Sequence, residues 1–296
     1  MEFSLRNGVD LALTALWWIV LLRVFASWFD RDGRFAATRL LHHLSEPILA
    51  PAPTRAIWRE YVMLLKPRLS MLVAFSCAFG YILAAEAEVD WSRILIMTLG
   101  GFMLSGASVT VNQILERKED ALMNRTRNRP IPAGRLGIKQ ASWFAVLCLM
   151  ASISLLYWST NMLTVVLSLI SMVLYSFAYT PLKKVGPIAV FVGAIPGALP
   201  PLLGWIGNTG TASYEAFVIF GIQFIWQFPH FWAIAWVSDD DYRRAGFRLL
   251  PSGGGKDHNT AIQIMTYTLF LLPLGLLPAW IGLTGINSAL IVTLCG

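Results

Sequence analysis

Apolar residues run along this chain in blocks of about 20, the length a helix needs to cross the hydrocarbon core of a bilayer. The blocks fall at 11–29, 68–86, 92–114, 139–158, 162–180, 187–207, 214–237 and 261–283, with a shorter run at 286–296. None alternates polar and apolar positions with a period of two, so barrel strands describe them poorly. The pattern predicts an all-α, polytopic transmembrane bundle. Polar positions gather instead in two long loops, 115–138 and 238–260, each following a helix that carries polar side chains out of the membrane.

Charge adds an orientation. Only 14% of the residues are charged and the mean hydropathy is +0.60. Of the 23 Lys and Arg, all but Arg6, Arg23 and Arg93 fall within 31–68, 117–139, 183–184 and 243–256. With the spans alternating in direction, these segments share one side. By the positive-inside rule that side is cytoplasmic and the N-terminus lies outside. The net charge of +6 therefore reports topology and gives no reason to invoke nucleic acid. Cys77, Cys148 and Cys295 sit in apolar blocks without metal-ligand spacing and read as small buried residues. The N-terminal block is too long for a signal peptide and is interrupted by Arg23.

The chemistry concentrates in the polar loops. Asn112, Glu116 and Asp120 recur at intervals of four, so on a helix they form one stripe. Two carboxylates stacked this way repel unless something neutralises them. A solvated helix end would ask for lysines at that spacing instead. Oxygen ligands in a row suit Mg²⁺, which is commonly held by one or two carboxylates together with substrate phosphates. Arg125, Arg127 and Arg129 follow closely, and guanidinium forks match phosphate oxygens in pairs. The second loop opens with Asp239, Asp240 and Asp241, then Arg243 and Arg244. On the same face as the first stripe, it offers an opposing acidic wall for a diphosphate bridged by Mg²⁺.

Two further stretches predict a cavity. Residues 192–201 place Pro196, Pro200 and Pro201 in one span, which must kink and find partners for the carbonyls that proline leaves free. Gln223, Gln227 and His230 put polar groups in an aromatic-rich helix. The glutamines read as interhelical hydrogen-bonding groups, and Trp226, Trp232 and Trp236 as an interface belt. His230 is a functional candidate, as intramembrane ionisable residues generally are. The glycine run 253–255 lacks P-loop spacing and reads as a flexible loop.

The stretch NQILERKEDALMNRTRNRPIPAGRL resembles the N-x3-E-x3-D-x2-M-x-R-T-x2-R-P signature of the haem O synthases (protohaem IX farnesyltransferases) of the UbiA prenyltransferase superfamily. The likeness continues in KPRL (66–69), YTPLKK (179–184), VGAIPGALPPLLGW (192–205), QFPHFWAIAW (227–236), DYRRAG (241–246) and LLP (249–251). The resemblance implies a UbiA-type helical bundle around one cavity in a bacterial plasma membrane, with its active-site loops on the cytoplasmic side. It implies transfer of a farnesyl group from farnesyl diphosphate to a vinyl group of haem B, then hydration to haem O. Haem A synthase or terminal oxidase assembly factors would be its protein partners. Asn112, Glu116, Asp120, Asp240 and Asp241 would hold Mg²⁺. Arg125, Arg129, Lys183 and Lys184 would bind the diphosphate, and His230 would contact the haem.

The chain departs from the family pattern in three places. Many UbiA relatives carry D-x3-D as their second motif, whereas Val237 stands four residues before Asp241. The family continues for about two helices beyond Gly296, so the resemblance implies a domain, 56–296, shortened at its C-terminus. Residues 1–55 are additional and resemble a YggT-type membrane segment. Competing expectations are a UbiA-type transferase for a quinone-precursor ring and a non-catalytic membrane scaffold. A transporter is disfavoured, because the acids gather at one face and not at the membrane midplane.

Overall fold

The computed structural model describes residues 56–85, 89–252 and 255–295. The first expected span, 11–29, the YggT-like segment around it and the centre of the glycine run lie outside the described residues, as does the side chain of Cys295. All regular secondary structure among the described residues is helical. In order the helices are α1 (Ala56–Leu64), α2 (Pro67–Leu83), α3 (Trp91–Leu115), α4 (Arg117–Leu122), α5 (Ile138–Ser159), α6 (Met162–Val173), α7 (Ile188–Thr209), α8 (Tyr214–Val237), α9 (Asp239–Arg244), α10 (His258–Trp280) and α11 (Ile286–Cys295). Five of these helices, and the continuous stretch Met162–Leu182 that begins with α6, are long and apolar enough to cross a membrane alone. The bent pair Ile57–Leu64 and Pro67–Leu83, inclined by 45°, makes a seventh. The expected bundle forms, with boundaries close to those the apolar blocks set.

Large apolar side chains such as Trp143, Leu147, Trp158 and Trp280 stand exposed around the bundle. A soluble monomer rarely tolerates such an expanse, whereas lipid tails cover it without cost. Inside, small residues set the spacing. Ala141, Ala145, Cys148, Ser152 and Leu156 make the buried stripe of α5, and Ser152 Oγ donates to the Gly100 carbonyl on α3 at 2.8 Å. The approach of α2 to α7 is tighter. A Cβ on Gly80 would lie 2.0 Å from the Pro201 carbonyl oxygen, and one on Gly204 would lie 1.8 Å from that of Cys77. Only glycine permits these backbones to meet.

Helix α7 runs through Pro196, Pro200 and Pro201 as a single helix. Pro201 has no N–H, which frees the Gly197 carbonyl, and Gln227 Nε2 on α8 donates to it at 3.0 Å. That is the interhelical role expected of this glutamine. Trp232 departs from the expectation of an interface belt. It is buried against Phe228 and Tyr267, edge-on to the latter at 5.0 Å. Packing claims the ring because Trp232 lies on the side of α8 that meets α10.

Two breaks in regular geometry were not foreseen, and both lie toward the polar face. Helix α6 widens into a π-helical segment, Leu174–Tyr179, before a last turn, Thr180–Leu182. Pro181 again removes a donor, and Thr180 directs both its N–H and its hydroxyl to the Tyr175 carbonyl. The second break separates α1 from α2 at Lys66, whose φ of 45° and ψ of 64° are left-handed. Among the described residues it is the one non-glycine residue with positive φ.

Candidate active site

Helix α3 carries the first polar stripe to the polar face. The helix is interrupted at Glu116, yet Glu116 N–H donates to the Asn112 carbonyl at 2.9 Å and Asp120 N–H to that of Glu116 at 2.7 Å. The four-residue register therefore survives the break, and the three side chains stay aligned. All three are buried, Asp120 completely. A solvated helix end would not be.

Buried carboxylates need counter-charges. Arg129 Nη1 lies 2.8 and 2.6 Å from the two oxygens of Asp120. Lys183 Nζ lies 2.7 Å from Glu116 Oε1, an ion pair nearly closed to solvent. Burial acts to lower the Lys183 pKa, but the Glu116 carboxylate beside it holds the group above the ordinary lysine value. The ammonium also sits over the rings of Tyr179, at 4.7 Å, and Phe247, at 5.6 Å. Asn112 Nδ2 donates to Thr180 Oγ1 at 2.9 Å, so the turn below the π segment fixes the top of the stripe.

The loops meet on one face, as expected. Asp241 accepts the backbone N–H groups of Asn124 and Arg125, each at 3.1 Å, and pairs with Arg244. Met123 packs beside Ala245 and Phe247. Arg248 N–H donates to the Lys183 carbonyl at 3.1 Å, and Lys184 pairs with Glu119. Arg125 turns its side chain to Tyr242, with Nη2 3.4 Å from the hydroxyl.

The predicted residues thus divide. Asn112, Glu116 and Asp120 are buried, and the partly buried Lys183 and Arg129 balance the two carboxylates. Asp241 and Arg125 join the loops beside it. Lys184 is engaged by Glu119 at the exposed edge, and Asp240 is exposed and enters no ion pair among the described residues. Asp239 is buried against Arg243, and Val237 is among the most exposed residues. Among the described residues no three carboxylate, His or Cys groups converge as a metal cluster. The donor set still suits Mg²⁺ carried by a diphosphate, because the buried oxygens of Asn112, Glu116 and Asp120 line one side.

Sequence reasoning passed over Lys66. Burial is the main influence on its side chain, followed by the charges of Arg129 and Lys183 and then by those of Asp120 and Glu116. The signal was present in KPRL, where lysine precedes proline at the start of a span, but the left-handed turn that aims the residue has no sequence signature. Deeper in the bundle, Tyr175, Tyr179 and Phe231 line up ring to ring, with centroids 5.5 and 5.7 Å apart. His230 stacks on Trp226 at 4.4 Å, one helical turn away on α8.

Residues 73–296 match the UbiA prenyltransferase family. The chain is 51% identical to the protohaem IX farnesyltransferase of Cytophaga hutchinsonii, over 81% of this chain and 84% of that protein. It is 37% identical to the Koribacter versatilis protein of the same name, over 79% and 77% of the two chains. Among solved structures, a digeranylgeranylglyceryl phosphate synthase superposes with a TM-score of 0.66 at 17% identity, covering 80% of this chain and 83% of that one. A UbiA homologue from Archaeoglobus fulgidus, solved bound to GPP and Mg²⁺, superposes at 0.60 and 14% identity, covering 79% and 82%.

Proposed function

Because this chain belongs to the UbiA prenyltransferase family, we propose that it transfers the farnesyl group of farnesyl diphosphate to a vinyl group of haem B, with hydration to haem O. The observation that carries this reading is the buried line Asn112–Glu116–Asp120, balanced by Lys183 and Arg129 at one end of an apolar bundle. A ligand that brings both divalent cation and anionic oxygens fits such a line. A neutral or cationic substrate does not.

Asn112, Glu116 and Asp120 would hold Mg²⁺, which when bound supplies charge screening for the departing diphosphate. Lys183, Arg129, Arg125 and Lys66 bind the diphosphate oxygens, and their positive charges stabilise the negative charge that grows as the C–O bond breaks. The rings of Tyr175, Tyr179 and Phe231 shield the allylic carbon from bulk water until a vinyl carbon attacks it. Water then adds to the cation left on the former vinyl group and loses a proton. His230, on its Trp226 stack, is the haem contact in this reading. The loops that carry the charged residues are cytoplasmic, and residues 1–55 are not needed for transfer.

The test uses membranes containing the full chain, supplied with haem B, farnesyl diphosphate and Mg²⁺, and mass spectrometry of the extracted haem. Haem O forms in the parent and is absent from Asp120→Ala, which still inserts. Transfer to a quinone-precursor ring in place of haem, or activity in Asp120→Ala within a few-fold of the parent, refutes the assignment.

A further inference from the structure

A side-chain amide offers a hard cation its oxygen and not its nitrogen, and the hydrogen bonds around it decide which end points where. For Asn112 the deciding partner is Thr180. A threonine hydroxyl has one proton to give and two lone pairs to receive others. The Tyr175 carbonyl, 2.9 Å from Thr180 Oγ1, can only accept, so that proton is committed to it. What Thr180 Oγ1 retains are lone pairs, and Asn112 meets them with Nδ2 at 2.9 Å. The direction of this chain of bonds follows from the backbone carbonyl at its end. Asn112 and Thr180 are only 2% and 4% exposed, so bulk water is not at hand to satisfy a reversed amide. Asn112 Oδ1 is therefore the end turned away from Thr180.

Thr180 is itself fixed. A residue before proline avoids helical backbone, yet Thr180 precedes Pro181 with φ −56° and ψ −51°. Its N–H and its hydroxyl both close onto the Tyr175 carbonyl across the π-helical segment, a widening of the kind frequent at functional sites. The same end of the helix carries Lys183 to Glu116. Asn112 and Glu116 are successive members of the stripe on α3, so one short stretch of chain holds both. Asp120 is held separately, by Arg129 of its own loop.

We propose that Thr180 is a positioning residue for the Mg²⁺–diphosphate site: its hydroxyl takes the Nδ2 end of the Asn112 amide and so presents Oδ1 as an oxygen ligand. This inference rests on the transferase reading and adds that the π-helical segment sets the first ligand of the stripe. It also supplies a reason for asparagine over aspartate at 112. A carboxylate has no N–H to place on an oxygen whose own proton is already committed. Thr180 acts through Asn112 and is not itself a ligand.

The test is equilibrium binding of farnesyl S-thiolodiphosphate to the purified full chain in lipid nanodiscs, titrated with Mg²⁺, with farnesol as a probe lacking the diphosphate. Thr180→Val keeps the branched shape and removes the hydroxyl. It raises the Mg²⁺ concentration for half-maximal thiolodiphosphate binding by roughly tenfold or more, the scale on which partners behind metal ligands act. Farnesol binding is unchanged. Thr180→Ser, which keeps the hydroxyl, retains the parent's Mg²⁺ requirement. In an Asn112→Ala background Thr180→Val has no further effect on that requirement, because the amide it orients is gone. Thr180→Ala, a smaller change suited to a chain that does not insert with valine at 180, raises the Mg²⁺ requirement in the same selective way. A serine chain as impaired as the valine chain, an equal loss of farnesol binding, or full additivity with Asn112→Ala overturns the positioning role. A parent whose binding depends on Mg²⁺, beside a Thr180→Val chain with the same requirement, overturns this inference alone. A parent that does not bind the thiolodiphosphate with Mg²⁺ overturns the transferase reading and this inference together.

Discussion

Lys183 Nζ stands 2.7 Å from Glu116 Oε1, and both side chains are nearly closed to solvent. Taking one member of a buried ion pair away leaves the other charge uncompensated, which costs about 3–5 kcal/mol. Lys183→Ala is therefore expected to lower the thermal midpoint in detergent as well as to abolish transfer. Adding Glu116→Gln in the same chain removes the stranded charge. That double variant recovers much of the lost stability and none of the haem O formation. Unfolding curves that the second substitution leaves unchanged count against the pairing.

The Gln227 amide substitutes for the donor that Pro201 lacks. Gln227→Leu leaves the half-buried Gly197 carbonyl without a partner, at a cost of about 1–3 kcal/mol. Pro201→Ala restores a backbone N–H that can close the helix onto that carbonyl. In the Pro201→Ala chain, Gln227→Leu is then expected to cost much less. A double-mutant cycle on thermal stability checks this, and simple additivity contradicts it.

How much of this was legible follows from what each feature depends on. The spans depend on the length and apolarity of a block, so the ends of α5 and α8 fell within a residue of the expected 139–158 and 214–237. The stripe Asn112–Glu116–Asp120 depends on helical period, and it survived a break at Glu116 that no residue type announces. The break persists in register because its backbone hydrogen bonds do. Pairings between distant segments, such as Glu116 with Lys183 or Gln227 with Gly197, depend on which helices touch. Pro201 said that a partner was needed, and only the fold could say which. The π segment and the Lys66 turn are local compromises enforced by neighbours, and local sequence gave no measure of that force.

Asp241 fastens the second polar loop to the first through the N–H groups of Asn124 and Arg125. Burial acts to raise its pKa, but hydrogen bonds from Arg244 and from those two backbone groups prevail and hold it below the ordinary value of 3.8. A carboxylate with a depressed folded pKa contributes stability above its unfolded value, and loses it as pH falls through the folded one. The fastening is thus complete at neutral pH and weakens only below about pH 4. Hydrogen exchange at Asn124 and Arg125, corrected for intrinsic rates, is expected to stay slow down to that range and then quicken. Asp241→Asn should exchange faster at neutral pH and lose the acid transition. Protection that is the same in both chains argues that the loops are held by Met123 and Phe247 packing alone.

The Lys66 turn carries a conformational cost that is separable from its charge. A left-handed conformation costs a non-glycine residue roughly 1–2 kcal/mol, and glycine almost nothing. Lys66→Ala removes the ammonium and keeps the strain, whereas Lys66→Gly removes both. Glycine loses more backbone freedom on folding, which offsets part of the relief. The net expectation is a Lys66→Gly chain about 1 kcal/mol more stable than Lys66→Ala. Thermal midpoints in one detergent, compared at equal protein concentration, decide it. A glycine chain no more stable than the alanine chain shows that position 66 is not strained.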